Sequence, residues 1–325
     1  MLVHRVGIIP RVTRAIVTGG AGFIGSHVAD AFLDRGHEVV VVDDLSTGSE
    51  QNVPDRARLE RVDITDARAV DRVFADGAAV VCHLAAQASV TVSAERPDFD
   101  CAVNVLGTLN VLEAATRARA PVIFASTGGA IYGNGAPLPT PEEHAPEPLA
   151  PYGASKLAAE AYVQTWSRLH GLPNVVLRLG NVYGARQNPH GEAGVVAIFA
   201  DKLLSKEQPA LRGEGKPTRD YVHVSDVARA FTLAADTRRA GTFNVGTGVE
   251  TSTARLLELL QKEAGTSLEP RQERLKPGEL DASALDASRI ERELGWRSTV
   301  ALEDGLRETL SWYRATWSAE AAGRG

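Results

Sequence analysis

The chain has 325 residues, of which 44% are hydrophobic and 23% are charged, a composition that excludes wholesale disorder. Its formal net charge of -6 lacks the basic excess of a nucleic-acid-binding surface, and no apolar run reaches the roughly 20 residues that span a bilayer. We therefore expect neither a nucleic-acid nor a membrane partner. Two cysteines, Cys82 and Cys101, are too few for a disulfide framework, so we expect a reducing, cytoplasmic location.

Short apolar runs alternate with amphipathic stretches through the first half of the chain. The predicted strands are residues 15–18, 38–42, 80–84, 121–126 and 174–179. The predicted helices are residues 22–35, 97–119 and 153–170. Continuous apolar strands alternating with helices are typical of a parallel sheet covered on both faces. The pattern predicts an α/β fold with a doubly wound parallel (Rossmann) sheet.

After Gly180 the pattern loosens, with one predicted helix at 195–205 and one late strand at 242–245. We predict two interleaved domains on this basis. The Rossmann domain is residues 13–180, with 221–248 returning to it, and the smaller C-terminal domain is 181–220 and 249–318. The ends, 1–12 and 319–325, are expected to be flexible.

A glycine-rich turn lies between the first predicted strand and the first predicted helix. Gly19, Gly22 and Gly25 are spaced three apart, with Phe23 and Ile24 between the last two. Small residues let the backbone approach a pyrophosphate at a helix N-terminus, where free N–H groups and the helix dipole favour anions. By itself the motif also fits a tight strand–helix turn.

The second predicted strand leads into an acid, Asp43. A carboxylate there accepts hydrogen bonds from a ribose diol and repels a 2′-phosphate, so the sequence predicts NAD rather than NADP. Further cofactor-binding candidates are Asp44, Leu45, Ser46, Thr47 and Gly48 after the second predicted strand, Asp63 and Ile64 after a further strand that precedes residue 80, and Leu84, Ala85 and Ala86 at the end of the predicted strand 80–84. For Asp63 and Ile64, a turn or a helix cap is the structural alternative.

Tyr152 and Lys156 are four residues apart at the start of a predicted helix and therefore share one face. An ammonium beside a phenol lowers the pKa of the phenol, which makes it a proton acceptor near neutral pH. Ser126 and Thr127 end the preceding strand, where the carboxyl ends of parallel strands form a ligand-binding crevice. Capping or turn formation is the alternative for these two hydroxyls.

Together these motifs resemble those of the extended short-chain dehydrogenase/reductases, and within them the UDP-glucose 4-epimerase (UDP-galactose 4-epimerase) branch. The resemblance extends from about Thr13 to Thr316. Other segments that carry it are residues 83–86, 104–108, 178–184, 218–224, 243–248 and 294–296.

The resemblance implies a role for each catalytic candidate. Tyr152 is the base that takes the proton of the sugar 4-hydroxyl, while hydride passes from C4 to tightly bound NAD and later returns to the opposite face. Lys156 lowers the pKa of Tyr152 and orients the nicotinamide ribose. Thr127 hydrogen-bonds the 4-oxygen, with Ser126 as the other candidate, since an extra glycine lies between these hydroxyls and Tyr132.

Gly128 and Gly129 follow the hydroxyls directly. Related sugar-nucleotide dehydratases carry Asp-Glu at this place, as acid and base for the elimination of water, and related decarboxylases use a Glu. Glycine cannot donate a side-chain proton, so the sequence favours epimerisation over elimination.

The resemblance also implies which residues bind the substrate. Arg219 matches a diphosphate-binding arginine, whose forked guanidinium suits phosphate oxygens, although it could also pair with a surface acid. Lys276 stands where relatives carry Arg, Arg212 where an aromatic ring stacks on uracil, and Ser283 where a small residue admits N-acetyl sugars. The full set of substrate-binding candidates is Thr127, Asn181, Val195, Arg212, Arg219, Lys276 and Ser283.

The leading hypothesis is therefore an NAD-dependent UDP-hexose 4-epimerase for UDP-glucose and UDP-galactose, with the N-acetyl sugars admitted through Ser283. The alternatives are a UDP-glucuronate 4-epimerase, a net NAD-dependent sugar-nucleotide oxidoreductase, and a non-catalytic NAD-binding protein. No metal is expected, because the histidines show no ligand spacing. The family further implies a homodimer formed through the helices near 97–119 and 153–170.

Overall fold

The computed structural model describes residues 13–190, 194–237, 239–275 and 280–322. Its strands are β1 (Arg14–Thr18), β2 (Glu38–Asp43), β3 (Arg58–Arg61), β4 (Val80–His83), β5 (Val122–Thr127), β6 (Val175–Leu179), β7 (Asn181–Tyr183), β8 (Ala210–Arg212), β9 (Thr218–His223), β10 (Gly241–Val245), β11 (Glu250–Ser252) and β12 (Arg271–Glu273). Its α-helices are α1 (Phe23–Asp34), α2 (Ala67–Phe74), α3 (Val90–Glu95), α4 (Pro97–Cys101), α5 (Thr108–Arg117), α6 (Pro151–His170), α7 (Val195–Leu204), α8 (Val224–Thr237), α9 (Thr253–Ala264), α10 (Ser288–Leu294) and α11 (Leu302–Ala322).

Seven parallel strands form the central sheet in the order β10-β6-β5-β4-β1-β2-β3. The strand order reverses between β1 and β4, where Thr18 lies beside Val42 on one side and His83 on the other. Ligands of open α/β sheets bind outside the carboxyl ends of the strands at such a reversal. The predicted doubly wound parallel sheet is confirmed, and its reversal point is the expected binding crevice.

Alternating side chains of the strands build a core on each face of this sheet. On β1, Ala15 and Val17 pack into the core that includes α1 and α8, whereas Ile16 packs into the core that includes α2, α5 and α6. Burying one large aliphatic side chain stabilises the fold by about 1.5–3 kcal/mol. A strand buried on both faces is therefore apolar along its buried middle, as residues 15–17 of β1 and 39–42 of β2 are.

A second, smaller layer follows the central sheet. Strands β11, β9 and β7 form a three-stranded sheet, and β12 pairs with β8. Their core contains Tyr183, Phe199, Leu256, Leu260 and Leu306, from β7, α7, α9 and α11. The chain enters this smaller layer twice, first from β7 to β9 and again from β11 onward. Between these two passages it returns to the central sheet, where β10 pairs with β6.

The side chain of Asn244 on β10 joins distant segments of the chain. Its Nδ2 donates to the carbonyl of Thr140 at 2.9 Å and to the carbonyl of Asp286 at 3.2 Å. The loop after β5 and the segment before α10 are thereby held against the last strand of the central sheet.

The single helix predicted for 97–119 is divided in the structure. Between α4 and α5 the chain forms a π-helical segment, Ala102–Gly107. This wider turn carries Asn104, whose side chain accepts from the Gln87 N–H at 2.9 Å and donates to the Gln87 carbonyl at 2.9 Å. Such segments often occur at functional sites.

Both cysteines are free thiols, Cys82 buried in β4 and Cys101 exposed on α4. Within the described ranges, none of the helices has the length and apolar character that crossing a membrane requires.

Candidate active site

The turn between β1 and α1 depends on two of its glycines. Gly19 has φ of +71°, and a Cβ there would lie 2.6 Å from the backbone nitrogen of Ala85. A Cβ on Gly25 would overlap the carbonyl oxygen of Gly19. The spacing therefore lets the turn fold back on itself and pack against the end of β4.

Helix α1 begins with free backbone donors. Gly22 occupies the N-cap position, the residue before the helix. Among the described residues, no side-chain hydrogen bond caps the first N–H groups, and the first turn of the helix contains no acidic residue. The N–H groups beginning with Phe23 and Ile24 are thus available to an anion such as a pyrophosphate. The cradle fits the diphosphate of a dinucleotide.

Asp43 is buried at the end of β2, beside this turn. Its Oδ1 accepts from the Leu45 N–H at 2.9 Å and its Oδ2 accepts from the Ala21 N–H at 3.0 Å. Burial raises the pKa of Asp43, and these two backbone bonds oppose the rise. Each oxygen keeps a further lone pair, so the carboxylate can still accept from a ribose diol.

The loop after β2 is shaped by its own side chains. Asp44 accepts from the Ser46 N–H at 2.9 Å and from the Ser46 hydroxyl at 2.7 Å, and faces solvent. Leu45 is left-handed, with φ of 61°, and a Cβ on Gly48 would lie 3.0 Å from Asp43 Oδ1. The loop that includes Thr47 therefore curls over Asp43.

Asp63 and Ile64 occupy the turn after β3. Asp63 Oδ1 accepts from the Thr65 N–H at 2.8 Å, which closes a local turn. Ile64 is buried and packs against Gly107. The structure thus contains the turn that was the alternative for Asp63, and a contact with the cofactor stays a prediction.

The end of β4 is held by a buried histidine. His83 Nδ1 lies 2.6 Å from the Thr18 hydroxyl, and Nε2 lies 3.0 Å from the Thr108 hydroxyl. Burial, assisted by the positive charge of Lys156, lowers the pKa of His83 to about 3. Neutral His83 therefore anchors the strand from which the chain continues into Leu84, Ala85 and Ala86.

Tyr152 and Lys156 lie one turn apart on α6, facing the ends of β4 and β5. Burial, followed by the negative charge of Asp100, raises the pKa of Tyr152 to about 12, and a hydrogen bond with the Thr127 hydroxyl lowers it. Lys156 is 3% exposed. Burial lowers the pKa of Lys156 to about 8, opposed by Glu160 and Asp100.

The two hydroxyls at the end of β5 point to different partners. Ser126 donates to the buried carboxylate of Glu160, which forms an ion pair with Arg178 at 2.7 Å. The hydroxyl of Thr127 instead lowers the pKa of Tyr152. Of the two hydroxyls, that of Ser126 is therefore occupied by Glu160, and that of Thr127 acts on the candidate base.

Gly128 and Gly129 are enclosed by side chains from elsewhere in the chain. A Cβ on Gly128 would overlap the side chain of Leu285, and a Cβ on Gly129 would lie 3.3 Å from Asn181 Oδ1. Leu285 thus fills the space that an acid at position 128 would need.

The substrate-binding candidates lie on several elements of the smaller layer. Asn181 begins β7 with a buried Oδ1 that has no hydrogen-bond partner among the described residues. Arg219 lies on β9, next to Thr218, whose carbonyl accepts from the Ser283 N–H at 3.2 Å. Buried Ser283 and Arg219 are thereby brought together.

The other candidates are more dispersed. Val195 begins α7, and Arg212 ends β8, where its Nε lies 3.4 Å from Glu273 Oε2. Lys276 lies outside the described residues.

Three buried residues around the pair were not predicted: Asp100, Phe124 and Glu160. Glu160 had a usable signal, because it follows Lys156 by four residues on the same helix and so shares its face. Phe124 gave no signal, since any apolar residue fits a buried strand.

Comparisons with known proteins agree with this architecture. Residues 15–246 match the model of the NAD dependent epimerase/dehydratase family. The UDP-glucose 4-epimerase of Mycolicibacterium smegmatis is 42% identical over 308 residues, which cover 93% of this chain and 98% of that protein.

Two solved structures are similar over nearly their whole length. The crystal structure of UDP-glucose 4-epimerase with UDP-glucose from Thermotoga maritima has a TM-score of 0.92 and 43% identity, and the match covers 94% of this chain and 99% of that one. The UDP-glucose 4-epimerase of Thermus thermophilus in complex with NAD has a TM-score of 0.87 and 44% identity, with 93% and 99% covered.

A doubly wound sheet with a glycine turn at its reversal point and a Tyr–Lys pair on one helix defines a dinucleotide-dependent enzyme of the short-chain dehydrogenase/reductase type. The chain belongs to the NAD dependent epimerase/dehydratase family. The family resemblance and the NAD cofactor predicted from the sequence are confirmed.

Proposed function

We propose that this protein is a UDP-glucose 4-epimerase, which interconverts UDP-glucose and UDP-galactose at C4 of the sugar. The observation that carries the proposal is Tyr152 one turn from Lys156 on α6, with Thr127 lowering the pKa of Tyr152, next to two glycines where a dehydratase needs an acid and a base. The M. smegmatis, T. maritima and T. thermophilus relatives, all UDP-glucose 4-epimerases, support it.

NAD fits the glycine turn and Asp43. We propose that the N-terminus of α1 holds its diphosphate, that Asp43 accepts from the adenosine ribose, and that the loop after β4 borders the rest of the cofactor. When bound, NAD supplies a hydride acceptor for C4 of the sugar and returns the hydride to the opposite face. Tight binding is required, because the same cofactor must complete both transfers.

We propose that Tyr152 carries out both proton transfers. Its ionised phenolate oxygen takes the proton of the sugar 4-hydroxyl, and the phenol so formed gives the proton back after epimerisation. Lys156, with a pKa of about 8, is mostly charged at neutral pH, and its ammonium favours the ionised phenol. Thr127 orients the sugar oxygen against Tyr152, and Ser126 supports the strand through Glu160.

The substrate side is proposed from the same resemblance. Residues 181–220 and 249–318 form the substrate-binding domain, with the remaining 13–180 and 221–248 as the NAD-binding domain. Arg219 binds the diphosphate, and small, buried Ser283 leaves room for an N-acetyl group at C2. Asn181, with its unpaired buried oxygen, is suited to accept from a substrate hydroxyl or amide.

We further propose a cytoplasmic homodimer formed through the helices near 97–119 and 153–170. Large apolar side chains are exposed on both stretches, among them Leu106, Tyr162 and Leu169. Exposed apolar side chains that join into one patch mark protein interfaces. Light scattering of a Leu106→Glu, Leu169→Glu double variant tests this, with a monomer as the expected result.

The test of function is direct. The pure protein, without added cofactor, is incubated separately with UDP-galactose, UDP-N-acetylgalactosamine and UDP-glucuronate, and products are separated by chromatography. Conversion of UDP-galactose is expected, and conversion of UDP-N-acetylgalactosamine supports the pocket at Ser283. Conversion of UDP-glucuronate alone would show that the protein is a UDP-glucuronate 4-epimerase instead. Turnover that consumes NAD stoichiometrically would instead identify a net oxidoreductase.

A further inference from the structure

A buried carboxylate outside the recognised motifs lies close to the Tyr152–Lys156 pair. Asp100, on α4, is 1% exposed. Its Oδ1 accepts from Gln87 Nε2 at 2.7 Å and from Asn104 Nδ2 at 3.0 Å. Removing a carboxylate from water destabilises a fold unless other groups compensate, and here the side-chain amides of Gln87 and Asn104 do so.

The hydrogen bonds continue from Asp100 to the backbone of the candidate base. Asn104 Nδ2 also lies 3.0 Å from the Ser155 hydroxyl, and that hydroxyl donates to the Tyr152 carbonyl at 3.0 Å. In the other direction, Asn104 Oδ1 accepts from the Gln87 N–H, in the loop that follows Leu84–Ala86. One network thus connects the loop after β4 with the first turn of α6.

Four elements direct charged or titratable groups toward the pair. These groups are Asp100 on α4, His83 on β4, Glu160 on α6 itself, and Arg178 on β6. His83 is neutral, and Arg178 is paired with Glu160. Burial is the main reason that the pKa of Tyr152 is raised and that of Lys156 is lowered. The negative charge of Asp100 raises the pKa of both residues. For Lys156, the charge of Glu160 raises the pKa more than that of Asp100 does.

We propose that Asp100 is a positioning residue for the proposed epimerase reaction: through Gln87 and Asn104 it fixes α6 against the cofactor loop, and its charge acts on Tyr152 and Lys156 together. The negative charge keeps buried Lys156 protonated, and it makes the ionised phenol a stronger base that readily takes up its proton. A base that must first accept and then return the same proton benefits from both effects. The inference rests on the proposed function.

The experiment compares three variants with the wild type. Asp100→Asn keeps the shape and an oxygen acceptor but removes the charge, whereas Asp100→Ala removes both. Asp98→Asn is the matched control, because Asp98 lies on the same helix with a side chain that is 79% exposed. The pH dependence of kcat and KM for UDP-galactose is measured, together with the amount of NAD that copurifies.

Asp100→Asn is expected to move both limbs of the kcat profile to lower pH by roughly one unit, with KM little changed. Asp100→Ala is expected to add a partial loss of copurified NAD, because the loop after β4 loses the bond from the Gln87 side chain to Asp100 and is held by Asn104 alone. Asp98→Asn leaves the profile in place. Asp100→Ser, a smaller neutral residue, gives a second reading of the charge effect if the Asn variant does not fold.

A reading independent of turnover separates this inference from the function. Ultraviolet titration of each protein against its Tyr152→Phe partner reports ionisation of Tyr152 alone. An earlier ionisation in Asp100→Asn supports the inference even if the wild type proves inactive on UDP-galactose, which would overturn only the proposed function. The role of Asp100 would be overturned if the ultraviolet titrations of Asp100→Asn and Asp98→Asn were the same and neither variant shifted the pH profile of kcat.

Discussion

The ammonium of Lys156 lies over the face of Phe124, with its nitrogen 4.3 Å from the ring centroid. Both residues are buried, one on α6 and the other in the middle of the central sheet. The negative face of an aromatic ring attracts a cation, and the attraction is strongest where water is excluded. Phe124 therefore helps to keep a charged lysine in a place that otherwise disfavours its charge.

Replacing Phe124 with Leu should weaken this support. We expect Lys156 to lose its proton at a lower pH and the alkaline limb of the kcat profile to move down, because about 2 kcal/mol of cation–ring attraction is removed. The matched control is Phe99→Leu, which removes an exposed ring 5.4 Å from the Arg96 guanidinium. An alkaline limb that stays in place in a folded Phe124→Leu protein would show that the ring does not act on Lys156.

Removing the two hydroxyls at the end of β5 one at a time should have different effects, one on catalysis and the other on stability. Thr127→Ala is expected to lower kcat by about 100-fold, as loss of one transition-state hydrogen bond does elsewhere, with little change in the free energy of unfolding. Ser126→Ala should instead destabilise the fold by about 1–3 kcal/mol, because it leaves the buried Glu160 short of a donor. Steady-state kinetics and urea unfolding of both variants check this. Equal effects on kcat would contradict the separation.

The contact between Gly128 and Leu285 predicts a compensating pair. Gly128→Ala alone should destabilise the protein by about 1–3 kcal/mol, since the added methyl overlaps Leu285. In the double variant with Leu285→Ala, most of that loss should disappear relative to Leu285→Ala alone. A double-mutant cycle of unfolding free energies measures the coupling. Strict additivity of the two single changes would mean that the overlap is relieved in another way.

His83 predicts a specific dependence of stability on pH. Its folded pKa of about 3 lies below the ordinary value of 6.5, so between these values the unfolded chain binds the extra proton. The contribution of His83 is complete above pH 6.5 and declines as the pH falls toward 3, by about 1.4 kcal/mol per unit. Urea unfolding at pH 7, 6 and 5 measures it. His83→Gln, which keeps a donor and an acceptor, should show a shallower slope by that amount.

Much of the Rossmann sheet could be predicted from the sequence, because buried parallel strands read as continuous apolar runs and the glycine turn has a fixed spacing. The pairing of Tyr152 with Lys156 was also within reach, since helical periodicity alone places them on one face. What these patterns share is that the residues concerned are near neighbours in sequence.

The contacts that could not be predicted join residues far apart in the chain. Ser126 and Glu160, or Gly128 and Leu285, meet only after β5, α6 and the segment before α10 have packed. The partner of the Ser126 hydroxyl was therefore visible only in the structure. The π-helical segment gave no pattern either, because one wider turn leaves the apolar periodicity of 97–119 almost unchanged.

The return of β10 to the central sheet has a practical consequence for dissecting the protein. A fragment that stopped after residue 180 would lack β10 and leave β6 with an unpaired edge. Exposed, apolar edge strands pair with other chains and aggregate. The same fragment would lose α8 from one face of the sheet, uncovering Phe32 and its neighbours. The central sheet is therefore not separable by truncation at residue 180, and exchanging the proposed substrate-binding domain between relatives requires moving two separate segments, 181–220 and 249–318, rather than one C-terminal piece.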